Sequence, residues 1–355
     1  MASGVVSSMR YRVILLFLLG LIPTSLTWAA PAQRMFSDWQ VTCNNQNFCV
    51  ARNTGEHGGL VMTLSRSAGA HTDAVLRIDL GSLSTPDIAE EAIAPRLLLD
   101  SKPLLFTGET WKITPWHLMT DDPATITAFL QQVQDAQAIT LDGGNQSISL
   151  LGLKAALLFI DAQQKRVGSE TAWIEKGNDP PLSVPPAPPL KGVAIVNPTP
   201  TPLSQEERND LLDYGNWRMN GLRCSLDPLR REVSVTALTD DKALLMIGCE
   251  AGAYNTVDLA WIVSRKKPLA SRAVRLRLPF NNGQQNNELE LMNATFDEKS
   301  RELVTLAKGR GLTDCGIQTR WRFDGQRFRL VRYAAEPTCD NWHGPDAWPT
   351  LWITR

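Results

Sequence analysis

The sequence predicts an α+β fold in two parts: a first domain with an antiparallel sheet and two packed helices, then a mostly antiparallel β-domain, a sandwich or barrel-like sheet. Three observations lead there. Short runs that alternate apolar and polar residues recur along the chain. Helical stripes stand out at only two places in the first half. A proline-dense stretch separates the halves, and such density makes neither helix nor central strand. The length of 355 residues exceeds one ordinary domain. A hydrophobic content of 43% with 21% charged residues is that of a globular chain, and the formal net charge of -1 argues against nucleic acid as a partner.

At the N-terminus, Arg10 and Arg12 precede an uncharged apolar run over 13–22, and small residues follow at Ala29, Ala30 and Ala32. That order predicts a signal peptide over 1–32. Ala30-Pro31-Ala32 offers an A-x-A site with Gln33 as the mature start; cleavage after Ala29 competes, an uncleaved anchor is the alternative, and Met9 is a second candidate start. The run is shorter than the ~20 apolar residues of a membrane span. No later stretch reaches that length, so a soluble periplasmic or secreted protein with no stable span after signal cleavage is expected.

In the first domain, 33–178, the run 74–80 alternates as a strand. Asp122 and Pro123 read as N-cap and first turn of a helix carrying Ile126, Phe129, Leu130 and Val133 inward. A second helix is expected over 149–165 with Leu150, Leu153, Leu157 and Ile160 inward, Lys165 and Arg166 at its C-terminal end and Gly168 beyond. Nine prolines between Asp179 and Ser204 then predict an extended, semi-rigid linker, 179–204. Ser204 with Glu207 makes a capping box for a short helix that ends by Gly215, opening the second domain, 205–355. Strands are expected there at 232–237, 243–249, 257–264, 273–280, 288–296, 303–307, 320–323 and 327–333.

All six cysteines follow the signal, which points to disulfides in an oxidising compartment. Cys43 and Cys49 stand alone before the proline stretch and flank turn residues 44–47, so they are expected to pair across a hairpin, where opposed residues lie ~4.5–5.5 Å apart. For the other four, Cys224–Cys249 and Cys315–Cys339 is the most local solution among those possible. Zinc fits poorly, because no C-x-x-C occurs.

Several blocks are similar to the bacterial family called domain of unknown function 1176. They are Asp38-Trp39 with Cys43-Asn44-Asn45 and Cys49-Val50-Ala51; residues 150–166; Cys249 through Asn255; Lys308 through Gly316; and Trp348 through Trp352. Asn44 stands where the family usually has Asp, Thr313 where it usually has Gly, and 340–342 differ from a shorter form. The first half also resembles, distantly, the invasion-associated locus B proteins. The likeness implies export and disulfides. It implies no activity, so no catalytic residue is carried over.

Candidate chemistry is sparse. No G-x-S-x-G elbow is present, and His117, beside Trp116 and near Asp121 and Asp122, would need a distant serine, as would His343. Gly309-Arg310-Gly311 lacks the Lys-Ser/Thr of a phosphate loop and reads as a tight loop pinned by Cys315. The most informative feature is Asp324-Gly325. Read as a two-residue turn, it pairs Arg322 with Arg327, Trp321 with Phe328 and Arg320 with Arg329. Arg320, Arg322, Arg327 and Arg329 then share one face with like charges opposed, either as an anion-binding face or as a solvated face neutralised from distant segments. By contrast, Arg275 and Arg277 have Glu288 and Glu290 on the next strand. Trp342, Trp348 and Trp352 could stack on a sugar, or be core.

The sequence thus predicts a non-enzymatic, exported, disulfide-stabilised binding protein of the cell envelope, without cofactor or metal. Its partner would be an envelope or host macromolecule, with an anionic ligand possible. An envelope hydrolase with a composite Ser/His/Asp site, or an inhibitor of a secreted hydrolase, is the alternative.

Overall fold

The computed structural model describes Met1 and residues 30–355, apart from 56, 72, 82, 84–91, 107–108, 223 and 283–286. Most of the expected signal peptide therefore lies outside the described residues. Among the described residues, no helix is long and apolar enough to cross a membrane.

The first half is organised by a seven-stranded antiparallel sheet. Its order is Ala32–Phe36, Trp39–Cys43, Cys49–Asn53, Leu60–Arg66, Ala74–Leu80, His117–Thr120 and Lys112–Ile113. Alternate residues Leu60, Met62 and Leu64, and Leu76 with Ile78, turn one face inward. Helix α1 (Pro123–Val133) adds Ile126, Phe129, Leu130 and Val133 to that core, and Asp122 caps it by accepting the Thr125 N–H at 2.7 Å. Helix α2 (Leu153–Gln163) adds Leu153, Leu157 and Ile160. It starts later than the apolar pattern suggests. Ser147–Ser149 is a strand beside Ala138–Leu141, and Gly152 opens the helix at φ 95°.

The second half places two open antiparallel sheets face to face, and among the described residues they form no closed barrel. One contains Val233–Ala237, Lys242–Ala251, Thr256–Ser264 and Ser271–Ala273. The other contains Thr295–Asp297, Glu302–Lys308, Gly316–Phe323, Phe328–Glu336 and Thr350–Ile353. Leu244, Ala260 and Ile262 meet Leu303, Trp321, Phe323, Phe328 and Leu330 between them. Ala243, Leu245 and Ile247 point the other way, as period-2 geometry requires, and receive helix α3 (Gln205–Asn220). This helix runs through Gly215 instead of ending there. A Cβ at Gly215 would lie 2.7 Å from Val233 and 2.9 Å from Leu245, so the glycine lets the helix lie down on the sheet. It is a packing glycine, not a stop.

The disulfides join Cys43 to Cys49, Cys224 to Cys249 and Cys315 to Cys339. Cys43 and Cys49 are direct cross-strand partners. Around Cys315, Gly309 packs so closely that a Cβ would sit 2.6 Å from the cysteine sulfur. Thr313 nearby adopts φ 61°, which explains why a glycine suits that position.

No apolar cluster of the described residues spans both halves: one draws on residues 36–174 and two on residues 203–352. Polar contacts join them. The Asn45 side chain both donates to Ile353 O (3.0 Å) and accepts from Ile353 N (2.9 Å), extending the last strand onto the disulfide hairpin. Between the halves the proline stretch is a pinned strap, not a free spacer. Gln46 holds Pro188 O at 3.4 Å, and the backbones of Lys191 and Val193 pair with Arg355 at 2.8 and 3.0 Å. Arg322 donates to Val193 O at 2.6 Å, and Arg265 donates to Thr201 O and Pro202 O at 2.8 and 3.1 Å.

Buried Arg265 also forks onto Glu207 at 3.0 and 3.1 Å, and this donation, with that of the Ser204 N–H, pushes the Glu207 carboxyl down to about 2. A carboxyl held below its ordinary 4.5 stabilises the folded state above that pH, and the contribution is lost as pH falls through about 2. Glu207→Gln is therefore expected to melt below the wild type at pH 7, with the gap narrowing from pH 4.5 downward; thermal melts across that range check it.

Candidate functional site

The Asp324-Gly325 hairpin is one residue pair wider than a two-residue turn. Asp324 Oδ1 accepts the N–H groups of Gln326 (2.9 Å) and Arg327 (2.8 Å), closing a four-residue loop over 324–327 with Gly325 at φ 92°. Phe323 then opposes Phe328, Arg322 opposes Arg329, and a bulge brings Arg332 opposite Arg320. The register expected from the turn shifts because the Asp324 side chain organises the loop and the two phenylalanines pair in the core, with ring centroids 5.6 Å apart.

This register divides the four arginines. Arg320 and Arg322 reach Glu302 on the neighbouring strand, at 3.5 and 2.9 Å. Arg327 and Arg329 turn instead to a cleft of about 1040 Å³ between the two sheets. There they meet Arg272 from the edge strand Ser271–Ala273 of the opposite sheet, Arg275 just beyond it, Arg277 from the short strand Leu276–Arg277, and Lys191 from the strap. Arg275 and Arg277 share Glu288 at 3.9 and 3.4 Å, and Arg329 is held by Asp324 at 2.6 Å. Burial opposes ionisation of Asp324, but the Arg327 N–H and the Arg329 guanidinium outweigh it and hold the carboxyl below its usual range. Arg272 and Arg327 are exposed and have no acidic partner among the described residues. Beneath this rim lies an apolar floor of Ile262, Leu278, Phe328, Leu330 and Trp352.

Sequence reasoning missed Arg272, and it assigned Arg275 and Arg277 two carboxylates where the contacts among described residues go to Glu288 alone. Three arginines within the six residues 272–277 were the available signal. The facing hairpin, which gives them meaning, comes only from the sandwich.

The three tryptophans do not form one platform. Trp352 stacks on Phe280 in the core, with centroids 5.5 Å apart, and edges the basic cleft. Trp342 and Trp348 line a second cleft of about 670 Å³ where the C-terminal segment crosses the outer face of the first sheet. All three are more than nine-tenths buried.

At the second cleft the halves are joined by charge. Arg52 meets Asp340 through Nη1 and Glu336 at 2.9 Å through Nη2, and His57 Nε2 faces Asp340 Oδ2 at 3.3 Å. His57 Nδ1 accepts the Gly59 N–H at 3.0 Å, which leaves the proton on Nε2. Burial opposes ionisation of Asp340, but His57 and Arg52 outweigh it and hold its pKa low. Burial dominates at Glu336 and pushes its carboxyl up. His117 and His343 line the same cleft, yet among the described residues neither side chain bonds a carboxylate and no serine lines the cleft. His343 is pushed down by burial. Among the described residues no cluster of three or more His, Cys, Asp and Glu could hold a metal, and every cysteine is in a disulfide.

The family model described as a protein of unknown function, DUF1176, matches residues 33–355. An uncharacterized protein of Escherichia coli (strain K12), YpfG, is 83% identical over 347 residues, covering 98% of this chain and 100% of the relative. No solved structure matches. The first-half likeness to invasion-associated locus B proteins gains no support from these matches.

Proposed function

We propose, from the premise that this chain belongs to the DUF1176 family, that it is an exported binding protein of the bacterial cell envelope that captures an anionic ligand in its basic cleft. The mature chain would work in the periplasm or outside the cell as two domains, 33–178 and 205–355, braced by the strap. Three disulfides and the absence, among the described residues, of a helix able to span a membrane support that setting.

The single observation that carries the reading is the convergence of Arg272, Arg275, Arg277, Arg327, Arg329 and Lys191 on one cleft. Guanidinium forks match the paired oxygens of phosphate, sulfate and carboxylate. Like charges gathered from two sheets and a strap repel one another, so a bound anion relieves a cost the free protein carries. The apolar floor suits a ligand whose charged group rides on a hydrophobic body.

The test replaces Arg272 and Arg327 together with Ser, since neither has an acidic partner among the described residues. Binding of a fluorescent polyphosphate and of phosphatidylglycerol vesicles is expected to weaken at least about tenfold, the loss of two charge-assisted contacts. A control that removes exposed Lys102 and Lys112 alters net charge equally and should leave binding within about twofold. Unchanged binding in the cleft variant, or equal loss in the control, would remove the reading.

A further inference from the structure

The geometry points to a second ligand site: we infer that the cleft between the halves binds an uncharged saccharide. Its charge balance separates it from the basic cleft. Arg52 is spent on Glu336 and Asp340, and Arg77 forks onto Asp79 at 2.8 and 3.3 Å, so two arginines stand against three carboxylates and the cleft offers no excess of positive charge to an anion. What it offers is aromatic surface and hydrogen-bonding side chains. Trp116 and Phe48, each 38% exposed, line it, together with the more buried Trp342 and Trp348. Sugar rings present one apolar C–H face and a girdle of hydroxyls, and pair with indole faces and with carboxylates, amides and hydroxyls.

The polar inventory fits that girdle. Gln40, Thr42 and Thr63 line the cleft from the first sheet, and Thr350 lines it from the last strand. Asp340 Oδ1 is buried without a hydrogen-bond partner, while Oδ2 is taken by Arg52 and faced by His57. A buried carboxylate oxygen without a donor carries a desolvation cost, and a sugar hydroxyl that reached it through a shift of the side chains above it would relieve that cost. The volume of about 670 Å³ lies within the range of pockets that take small ligands, and the location between two halves of a chain is a common one for them. Since each half supplies part of the lining, occupancy would also bind the halves together.

The test titrates the oxidised protein with chitotetraose, maltotetraose and cellotetraose, following tryptophan fluorescence and heat. At least one is expected to bind. Trp116→Ala should weaken that binding about tenfold or more while leaving the melting temperature near the wild type, because Trp116 is exposed and belongs to none of the apolar clusters. The Arg272→Ser, Arg327→Ser protein should bind the sugar as the wild type does, so failure of this site and failure of the anion site are read separately. No binding of any of the three at millimolar concentration, or binding that Trp116→Ala leaves unchanged, would overturn the inference.

Discussion

Asp161→Ala is expected to destabilise the protein by on the order of 3–5 kcal/mol, the cost of breaking a buried ion pair from one side. Asp161, Arg66 and Arg166 all have 0% exposure. Asp161 accepts Arg66 Nη2 at 2.6 Å and the N–H groups of Trp173 and Ile174 at 2.9 Å each. Both guanidiniums donate to Gln164 Oε1, and Arg66 stacks 3.6 Å over the Trp173 ring. One carboxylate therefore faces two buried cations, and burial pushes Arg66 down to about 10 even with Asp161 opposing the shift. Removing the carboxylate leaves two unpaired charges and two orphaned backbone donors. Urea unfolding should show a lower midpoint. The pair Asp161→Leu, Arg66→Met should recover part of the loss, because an apolar pair carries no desolvation cost. If the double variant is less stable than Asp161→Ala, the cost lies in packing and not in charge.

Arg52→Met should have the second-largest effect, also about 3–5 kcal/mol, and should act at the junction of the halves. Arg52 is the cation shared by Glu336 and Asp340, which come from the other half and are buried with it. Without it, two carboxylates face each other out of water. The strap, pinned to both halves, should then become a target for proteases, with cleavage near 185–203 preceding cleavage elsewhere. The melt should also separate into two transitions if the halves are domains in their own right. A single transition at the wild-type temperature would mean that Arg52 is not a brace.

What could be read from the residues was mostly local. The cysteine hairpin, the Asp122 cap, the capping box at Ser204 and Glu207 and the alternation of the late strands depend on neighbours in sequence, and each is present. What escaped depends on partners far along the chain. Arg166 reads as a cation at a helix end, yet it is enclosed because Ser67 O, Gly69 O and Thr171 Oγ1 accept its hydrogen bonds. Gly215 reads as a helix stop until the sheet beneath it is known. The hairpin arginines read as one set until the side chain of Asp324 widens the loop and Glu302 claims two of them. Neither cleft was legible, since each is built from segments that only the fold brings together.

The most direct test of the central claim is hydrogen–deuterium exchange of the oxidised protein with and without polyphosphate. Protection should appear in the basic cleft, at 191–196, 272–279 and 324–330, with the junction around Arg52 and Asp340 unaltered. Protection confined to other segments, or none at saturating polyphosphate, would contradict the assignment of the basic cleft as the site of anion capture.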